Sequence, residues 1–172
     1  SHLRSKKGAI VLNFKELISK QIIRHTVHAH CDIPCGIYDP ISAKIAAQTV
    51  LKMVMRIGAM DAPSPSQNTE ERLASINTLS RFITVKEEHA ELVKHELDIL
   101  WHDYFKPEHL ENYPDLHTAF WNATKLASTN KQTVALDSAK QLVDAVDSIA
   151  QIFWATKGVT YSDSVASVRL GT

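Results

Sequence analysis

Apolar side chains recur every three or four positions along most of this chain, which is the period of an amphipathic helix. The first such run follows Asp39 and Pro40, which we interpret as an N-cap and a first helical residue. It ends at Gly58, because glycine favours a helix terminus. Its apolar positions are Ile41, Ile45, Val50, Val54 and Ile57. We therefore expect a helix whose apolar face is buried.

A second and much longer helix is predicted after the turn-rich link at residues 61–66. Asn68 and Glu71 have the spacing of a capping box, with asparagine in the cap position. Helical spacing continues from there to Trp101 or Tyr104. The apolar positions are Leu73, Ile76, Leu79, Ile83, Leu92, Leu97 and Leu100. We expect these side chains to face the core.

Two further helices complete the pattern. Pro107 breaks the long helix, and a third begins at residues 113–115. The fourth is predicted from Lys131 to Thr156. No convincing alternation of period two, the signature of a strand, is present. The pattern predicts an all-α fold, an up-and-down antiparallel four-helix bundle.

The segment before the bundle has an amphipathic pattern of its own. Residues 13–24 have helical spacing and predict an N-terminal amphipathic helix, whereas the apolar run at residues 9–12 is too short for the core of a secretory signal. We interpret residues 1–29 as a propeptide-like extension. Residues 30–157 form the predicted bundle domain, and residues 158–172 are interpreted as a mobile C-terminal tail.

Composition narrows the possible functions. The chain has 172 residues, of which 44% are hydrophobic, so it can form one domain with a substantial core. Its formal net charge of zero argues against a partner that is nucleic acid or a membrane surface. No apolar run approaches the roughly 18 residues of a membrane span. Two cysteines are too few for a disulfide scaffold.

Both cysteines fall in one short stretch, residues 30–40. Cys31 and Cys35 lie four positions apart, His30 precedes the first, and Gly36 after the second permits a positive φ. Thiolate and imidazole ligands suit zinc, copper, nickel or iron–sulfur centres. A closed tetrahedral zinc site is disfavoured, because the sequence has no second cysteine pair. By residue type alone, a disulfide, a redox pair and a metal site all stay open.

Other chemistries that helical bundles carry find no match in the sequence. A di-iron carboxylate site needs Glu-x-x-His on facing helices, and no glutamate here has a histidine three positions later. The zinc-protease motif H-E-x-x-H and the nucleophile elbow G-x-S-x-G are also absent. The stretch with the two cysteines is therefore the strongest candidate for chemistry.

Three separated motifs, one of them the stretch with the two cysteines, resemble the same known family. Residues 30–40 read H-C-D-I-P-C-G-I-Y-D-P, which resembles at nearly every position the nickel-binding hook that opens mature nickel-containing superoxide dismutases. Residues 101–107 read W-x-D-Y-F-K-P and residues 149–157 read I-A-Q-I-F-W-x-T-K, and both resemble the same family. The resemblance implies a four-helix bundle with a nickel ion as its cofactor.

The resemblance also implies a ligand set. Cys31 and Cys35 correspond to the thiolate ligands, and the backbone amide of Cys31 and the α-amine of His30 to the nitrogen ligands in the same plane. The His30 imidazole corresponds to an axial ligand of the oxidised metal. Because the amine has to be free and His30 is preceded by Ala29 here, the resemblance implies an uncleaved precursor. A maturation protease is then expected to cut between Ala29 and His30.

Further positions match or depart from the family. Tyr38 and Tyr104 match two tyrosines that guard access to the metal, with core packing as the alternative role, and Asp32 matches the acid that holds the hook in shape. The glutamate that supports the axial histidine in the family falls on Ala46, and its arginine partner falls on His89. We therefore expect the ligand identities to be kept and the support of the axial imidazole to differ.

Two functions follow as hypotheses. The favoured one is the precursor of a nickel superoxide dismutase, which converts superoxide to oxygen and hydrogen peroxide by Ni(II)/Ni(III) cycling and is a homohexamer by the same resemblance. The alternative is a non-catalytic nickel-binding or thiol-redox interaction module that keeps its extension. The missing secretory signal and the need for reduced thiols predict a cytoplasmic location, with no nucleic-acid or membrane partner.

Overall fold

The computed structural model is all-helical over the residues that it describes, which are 36–61, 64 and 66–171. The predicted helix at residues 13–24 and most of the predicted hook lie outside this range. The described helices are α1 (Ile41–Gly58), α2 (Thr69–Ile99), α3 (Pro107–Asn112), α4 (Leu116–Gln132), α5 (Leu136–Thr156) and α6 (Ala166–Leu170). A π-helical turn, Leu100–Tyr104, directly follows α2.

Four long helices, α1, α2, α4 and α5, form the bundle. Around it, α1 packs on α2, α2 on α4, α4 on α5, and α5 on α1. Every helix of the four therefore has two neighbours, as in an antiparallel four-helix bundle. The predicted fold class is confirmed. None of the described helices is both long and apolar enough to cross a membrane.

The core combines small and large side chains at the helix contacts. Alanines line the contact face of α1, where Ala43, Ala46 and Ala47 have no exposed surface. Larger side chains fill the space opposite them, and Phe153 on α5 is also fully buried. Burying a large apolar side chain is worth about 1.5–3 kcal/mol, so this interlocking core supplies most of the bundle's stability.

The predicted starts of α1 and α2 are confirmed to within one residue. Asn68 and Glu71 form the capping box reciprocally, because each backbone N–H donates to the other side chain at 3.0 Å. At α1, the backbone N–H of Ile41 donates to Oδ1 of Asp39 at 2.8 Å. The helix itself begins at Ile41, with Pro40 in the cap position, one residue later than the sequence predicts.

The predicted start of the fourth helix is wrong. Residues 131–132 belong to the end of α4, and α5 begins at Leu136. The buried ammonium of Lys86 on α2 donates to the carbonyl oxygens of Asn130, Lys131 and Thr133. Because these carbonyls have a cation as their partner, α4 ends here and the chain turns.

The apolar face predicted for α2 is only partly buried. Leu73 is 61% exposed and Ile76 is 57% exposed, and every buried residue of α2 lies at Lys86 or beyond. Length explains this result. A helix of 31 residues is about 46 Å long, whereas the 18 residues of α1 span about 27 Å, so the first part of α2 has fewer neighbours.

The C-terminal residues contact the bundle, which differs from the mobile tail that the sequence predicts. Asp163 forms salt bridges with Lys44 on α1 at 3.1 Å and with Arg169 at 2.5 Å. Arg169 also donates to Gln48 at 2.6 Å, and the Tyr161 ring stacks on Trp154. These contacts hold residues 161–169 against α1.

Burial and ion pairing shift the pKa values of Lys44 and Asp163 in opposite directions. Burial alone lowers the pKa of Lys44, but hydrogen bonds to Asp147, Tyr161 and Asp163 raise it above its ordinary value. Burial likewise raises the pKa of Asp163, and hydrogen bonds from Arg169 and Lys44 outweigh it and lower that pKa. Both groups are therefore stabilised in their charged forms at neutral pH.

Candidate metal centre

The predicted nickel ligands His30, Cys31 and Cys35 lie outside the described residues, as does Asp32. The description begins directly after them, at Gly36, whose φ is +72°. An L side chain is strained in this left-handed conformation, and a Cβ placed there meets no atom within 4 Å. The backbone therefore needs glycine at this position because of its conformation and not because of crowding. The positive φ that the sequence permits at Gly36 is present.

The two predicted tyrosines are brought together. The rings of Tyr38 and Tyr104 have their centroids 5.7 Å apart, with 56° between the ring planes. Tyr38 lies three positions after Cys35, a distance that the chain spans in at most about 11 Å. Both tyrosines are therefore close to the start of the described chain, where it leaves the predicted hook.

The π-helical turn sets the position of Tyr104. The N–H of Phe105 donates to the carbonyl oxygen of Leu100 at 3.0 Å, a bond that spans one residue more than an α-helical one. Such a turn changes the direction of the side chains that follow it, and it occurs often at functional sites. The sequence predicts only the end of a helix here, and Pro107 is the sole local signal.

Tyr104 is enclosed by four other side chains. Its ring lies 4.4 Å from the ring of Phe153 and 5.1 Å from that of Phe105, centroid to centroid. The imidazole of His109 stacks on it at 5.6 Å, and Nζ of Lys157 lies 5.1 Å from the ring centroid. These contacts leave the ring little freedom to turn. Core packing, the alternative role predicted for Tyr104, is therefore present in the structure.

The hydroxyl of Tyr104 also has a partner that sequence reasoning missed. It lies 2.5 Å from Oγ1 of Thr156, on the last turn of α5. The same Oγ1 donates to the carbonyl oxygen of Phe153 at 2.6 Å. Thr156 lies within one of the three motifs, but the pairing joins distant parts of the chain, and no local pattern predicts it.

Ala46 and His89, the two departures from the family pattern, have ordinary roles in the bundle. Ala46 is fully buried in the core. His89 is bonded through Nδ1 to the carbonyl oxygen of Val85 at 2.8 Å. Because a carbonyl oxygen can only accept, Nδ1 carries the proton, and the ring is tied to its own helix. Neither residue supplies the carboxylate or the guanidinium that the family has at these positions.

No competing metal site is present among the described residues, since none of their histidine and acidic side chains form a group of three or more. The predicted donor set suits nickel by its chemistry. Two thiolates with nitrogen donors in one plane are typical of Cu(II) or Ni(II), and thiolates are soft ligands. The residue types at positions 30–35 therefore fit the metal that the sequence predicts.

Comparison with known proteins decides the family. The family model described as nickel-containing superoxide dismutase matches residues 25–157. The chain belongs to the nickel-containing superoxide dismutase family. It is therefore an enzyme of this class, and nickel is its cofactor.

Individual relatives agree with this family. Superoxide dismutase [Ni] of Streptomyces seoulensis is 40% identical over 131 residues, which are 76% of this chain and 90% of that protein. Superoxide dismutase [Ni] of Streptomyces coelicolor is 37% identical over 132 residues, 77% of this chain and 91% of that protein. The match covers the bundle and leaves residues 158–172 outside the family model.

The fold agrees as well. A crystal structure of a nickel-containing superoxide dismutase, with nickel ligation after partial X-ray-induced reduction, has a TM-score of 0.65 and 38% sequence identity. The similarity covers 76% of this chain and all of that chain. The helical bundle described above is thus the bundle of this family.

Proposed function

We propose that this chain is the precursor of a nickel superoxide dismutase and becomes active when residues 1–29 are removed. The observation that carries the proposal is the sequence of residues 29–35, in which Ala29 precedes His30 and the C-x-x-x-C stretch follows it. The contact between Tyr38 and Tyr104, 5.7 Å between ring centroids, brings together the two tyrosines that the resemblance assigns to the site. Cleavage between Ala29 and His30 would release the amine that an intact peptide bond converts to a poor donor.

The reaction converts two superoxide anions and two protons to one molecule of oxygen and one of hydrogen peroxide. The nickel ion, when bound, supplies the one-electron acceptor and donor by alternating between Ni(II) and Ni(III). His30, through its amine and imidazole, and Cys31 and Cys35, through thiolates and the Cys31 amide, are the residues that would hold it. Thiolate donors make the higher oxidation state accessible.

The remaining residues of the site control access. The rings of Tyr38 and Tyr104, which are half-buried, would guard access of superoxide to the metal. Asp32 would accept hydrogen bonds from the backbone of the hook and hold its shape. In this chain the His30 imidazole would be held without the glutamate and arginine that the resemblance implies, since Ala46 and His89 stand there.

The biological setting is part of the same proposal. We expect a homohexamer in which subunits enclose one another's hooks, a maturation protease specific for the Ala29–His30 bond, and a cytoplasmic location. The alternative function is a nickel-binding or thiol-redox module that keeps its extension. The absence of both outer-shell partners at Ala46 and His89 is the observation that favours the alternative.

A comparison of two chains tests the proposal. The full chain and a chain that begins at His30 are reduced, loaded with nickel and assayed for metal content and superoxide dismutation. Activity confined to the shorter chain supports the precursor. Equal activity in both chains overturns it, and nickel uptake without activity in both supports the binding module. Cys31→Ser and Cys35→Ser variants of the shorter chain control for nickel bound elsewhere.

A further inference from the structure

The hydroxyl groups of Tyr104 and Thr156 form a hydrogen-bond chain whose direction can be assigned. Oγ1 of Thr156 lies 2.6 Å from the carbonyl oxygen of Phe153, and a carbonyl oxygen can only accept. The single hydroxyl proton of Thr156 must therefore lie between these two oxygens. Oγ1 has no second proton for Tyr104, which is 2.5 Å away. The phenol proton of Tyr104 is thus donated to Thr156.

This direction restricts what Tyr104 can bind next. A phenol has one proton to donate, and the bond to Thr156 uses it. The phenol oxygen keeps only its capacity to accept hydrogen bonds from further partners. A water molecule or hydrogen peroxide can donate to it, whereas the superoxide anion carries no proton and cannot.

The ring cannot easily escape this arrangement. Phe153 lies 4.4 Å from it on one side, and His109 stacks against it with 10° between the ring planes. The accepting carbonyl belongs to Phe153 as well, and the side chain of Phe153 is fully buried. Thr156 and Phe153, at the end of α5, therefore hold the Tyr104 hydroxyl so that its oxygen can only accept from a further partner.

We propose that Thr156 is a positioning residue that holds Tyr104 as a hydrogen-bond acceptor, so that Tyr104 receives water or the hydrogen peroxide product and does not bind superoxide directly. The inference rests on the proposed function, because it concerns the substrate and product of that site. The phenol proton of Tyr104 is committed to Thr156.

The hydrogen bond itself can be tested without metal or activity. The full, metal-free chain is labelled with carbon-13 at the ring carbon that bears the tyrosine oxygen, and Tyr104→Phe identifies the Tyr104 signal among the four tyrosines. Thr156→Val, which keeps the shape and removes the hydroxyl, is expected to shift this signal. Thr156→Ser keeps the hydroxyl and is expected to leave it in place. An unchanged signal in Thr156→Val overturns the proposal.

The functional part needs the nickel-loaded chain that begins at His30. Thr156→Val is expected to lower kcat about tenfold, the factor that one neutral hydrogen bond is worth, with nickel content unchanged. Thr156→Ser is expected to restore the rate. A shifted signal with a normal rate in Thr156→Val overturns the positioning role. If the wild-type chain is inactive, the proposed function fails and the reaction role with it, while the carbon-13 signal still decides the hydrogen bond.

Discussion

The rings of Tyr38 and Tyr104 lie 5.7 Å apart although one precedes α1 and the other ends the π-helical turn after α2. The contact therefore forms only when the α1–α2 hairpin has folded. Folding of the bundle thus brings these two rings together.

The bond between Tyr104 and Thr156 predicts a measurable coupling in stability. Tyr104→Phe and Thr156→Val each remove the same hydrogen bond, so their effects on the free energy of unfolding should be less than additive by about 1 kcal/mol. Chemical denaturation of the two single variants and the double variant measures this value. Tyr113→Phe combined with Thr156→Val is the matched control, and its effects should add. Strict additivity in the first pair would show that the bond is absent in solution.

Lys86 should be critical for the end of α4. Its ammonium, almost fully buried, donates to three carbonyl oxygens that have no other cation in reach among the described contacts. Replacing it by Met keeps the volume and leaves these acceptors unpaired, which should cost about 2–4 kcal/mol of unfolding free energy. Lys94→Met removes a partly exposed ion pair and should cost about 0.5 kcal/mol or less. Similar losses in the two variants would contradict the role of Lys86.

The contact of the C-terminal residues with α1 should depend on pH. The pKa of Asp163 is lowered in the folded chain, so its contribution is present above the ordinary aspartate pKa and is lost as pH falls through the lowered value. Asp163→Asn should therefore cost about 2 kcal/mol near neutral pH and much less at an acidic pH below the lowered pKa.

Asp144→Asn provides the control for this experiment, because Asp144 is an exposed carboxylate on α5. Urea denaturation at both pH values measures the difference between each variant and the wild type. A penalty for Asp163→Asn that stays constant across the acidic range would mean that the carboxylate is not ion-paired with Lys44 and Arg169 in solution.

Gly36 and Gly58 should respond in opposite ways to alanine. Gly36 has a φ of +72°, so a Cβ costs about 1 kcal/mol of strain there although the space is open. Gly58 closes α1 in a helical conformation, and alanine should stabilise it by about 0.5–1 kcal/mol. Thermal unfolding of the two variants checks both signs. A Gly36→Ala variant as stable as Gly58→Ala would show that Gly36 does not have a positive φ in solution.

Local signals in the sequence were sufficient for most of the bundle. The capping box of Asn68 and Glu71 and the helical spacing after it depend only on neighbouring residues, and the structure confirms both. The boundary between α4 and α5 was wrong because Lys86, which sets it, lies on another helix. The C-terminal contacts were missed for the same reason, since Asp163 pairs with Lys44 across the fold.

In the candidate site, too, contacts between distant parts of the chain could not be predicted from local sequence. The pairing of Tyr38 with Tyr104 follows from the family resemblance and not from spacing, and the structure places the two rings together. Thr156 was missed, because its hydroxyl meets Tyr104 only after α5 has packed on the bundle. The roles of His30, Cys31 and Cys35 stay predictions.

The central claim is that activity requires a free α-amine on His30. Two chains that differ in the state of this nitrogen test the claim. One chain begins at His30 and the other begins at Ala29, so that they share every thiol and imidazole and differ in whether the His30 nitrogen is an amine or an amide. The measurement is the rate of superoxide dismutation per bound nickel ion. We predict activity about a hundredfold higher in the chain that begins at His30, because an amide is a far poorer donor than an amine. Loss of a residue that only supports a metal ligand already costs about 10–100-fold. Equal rates would contradict the precursor account.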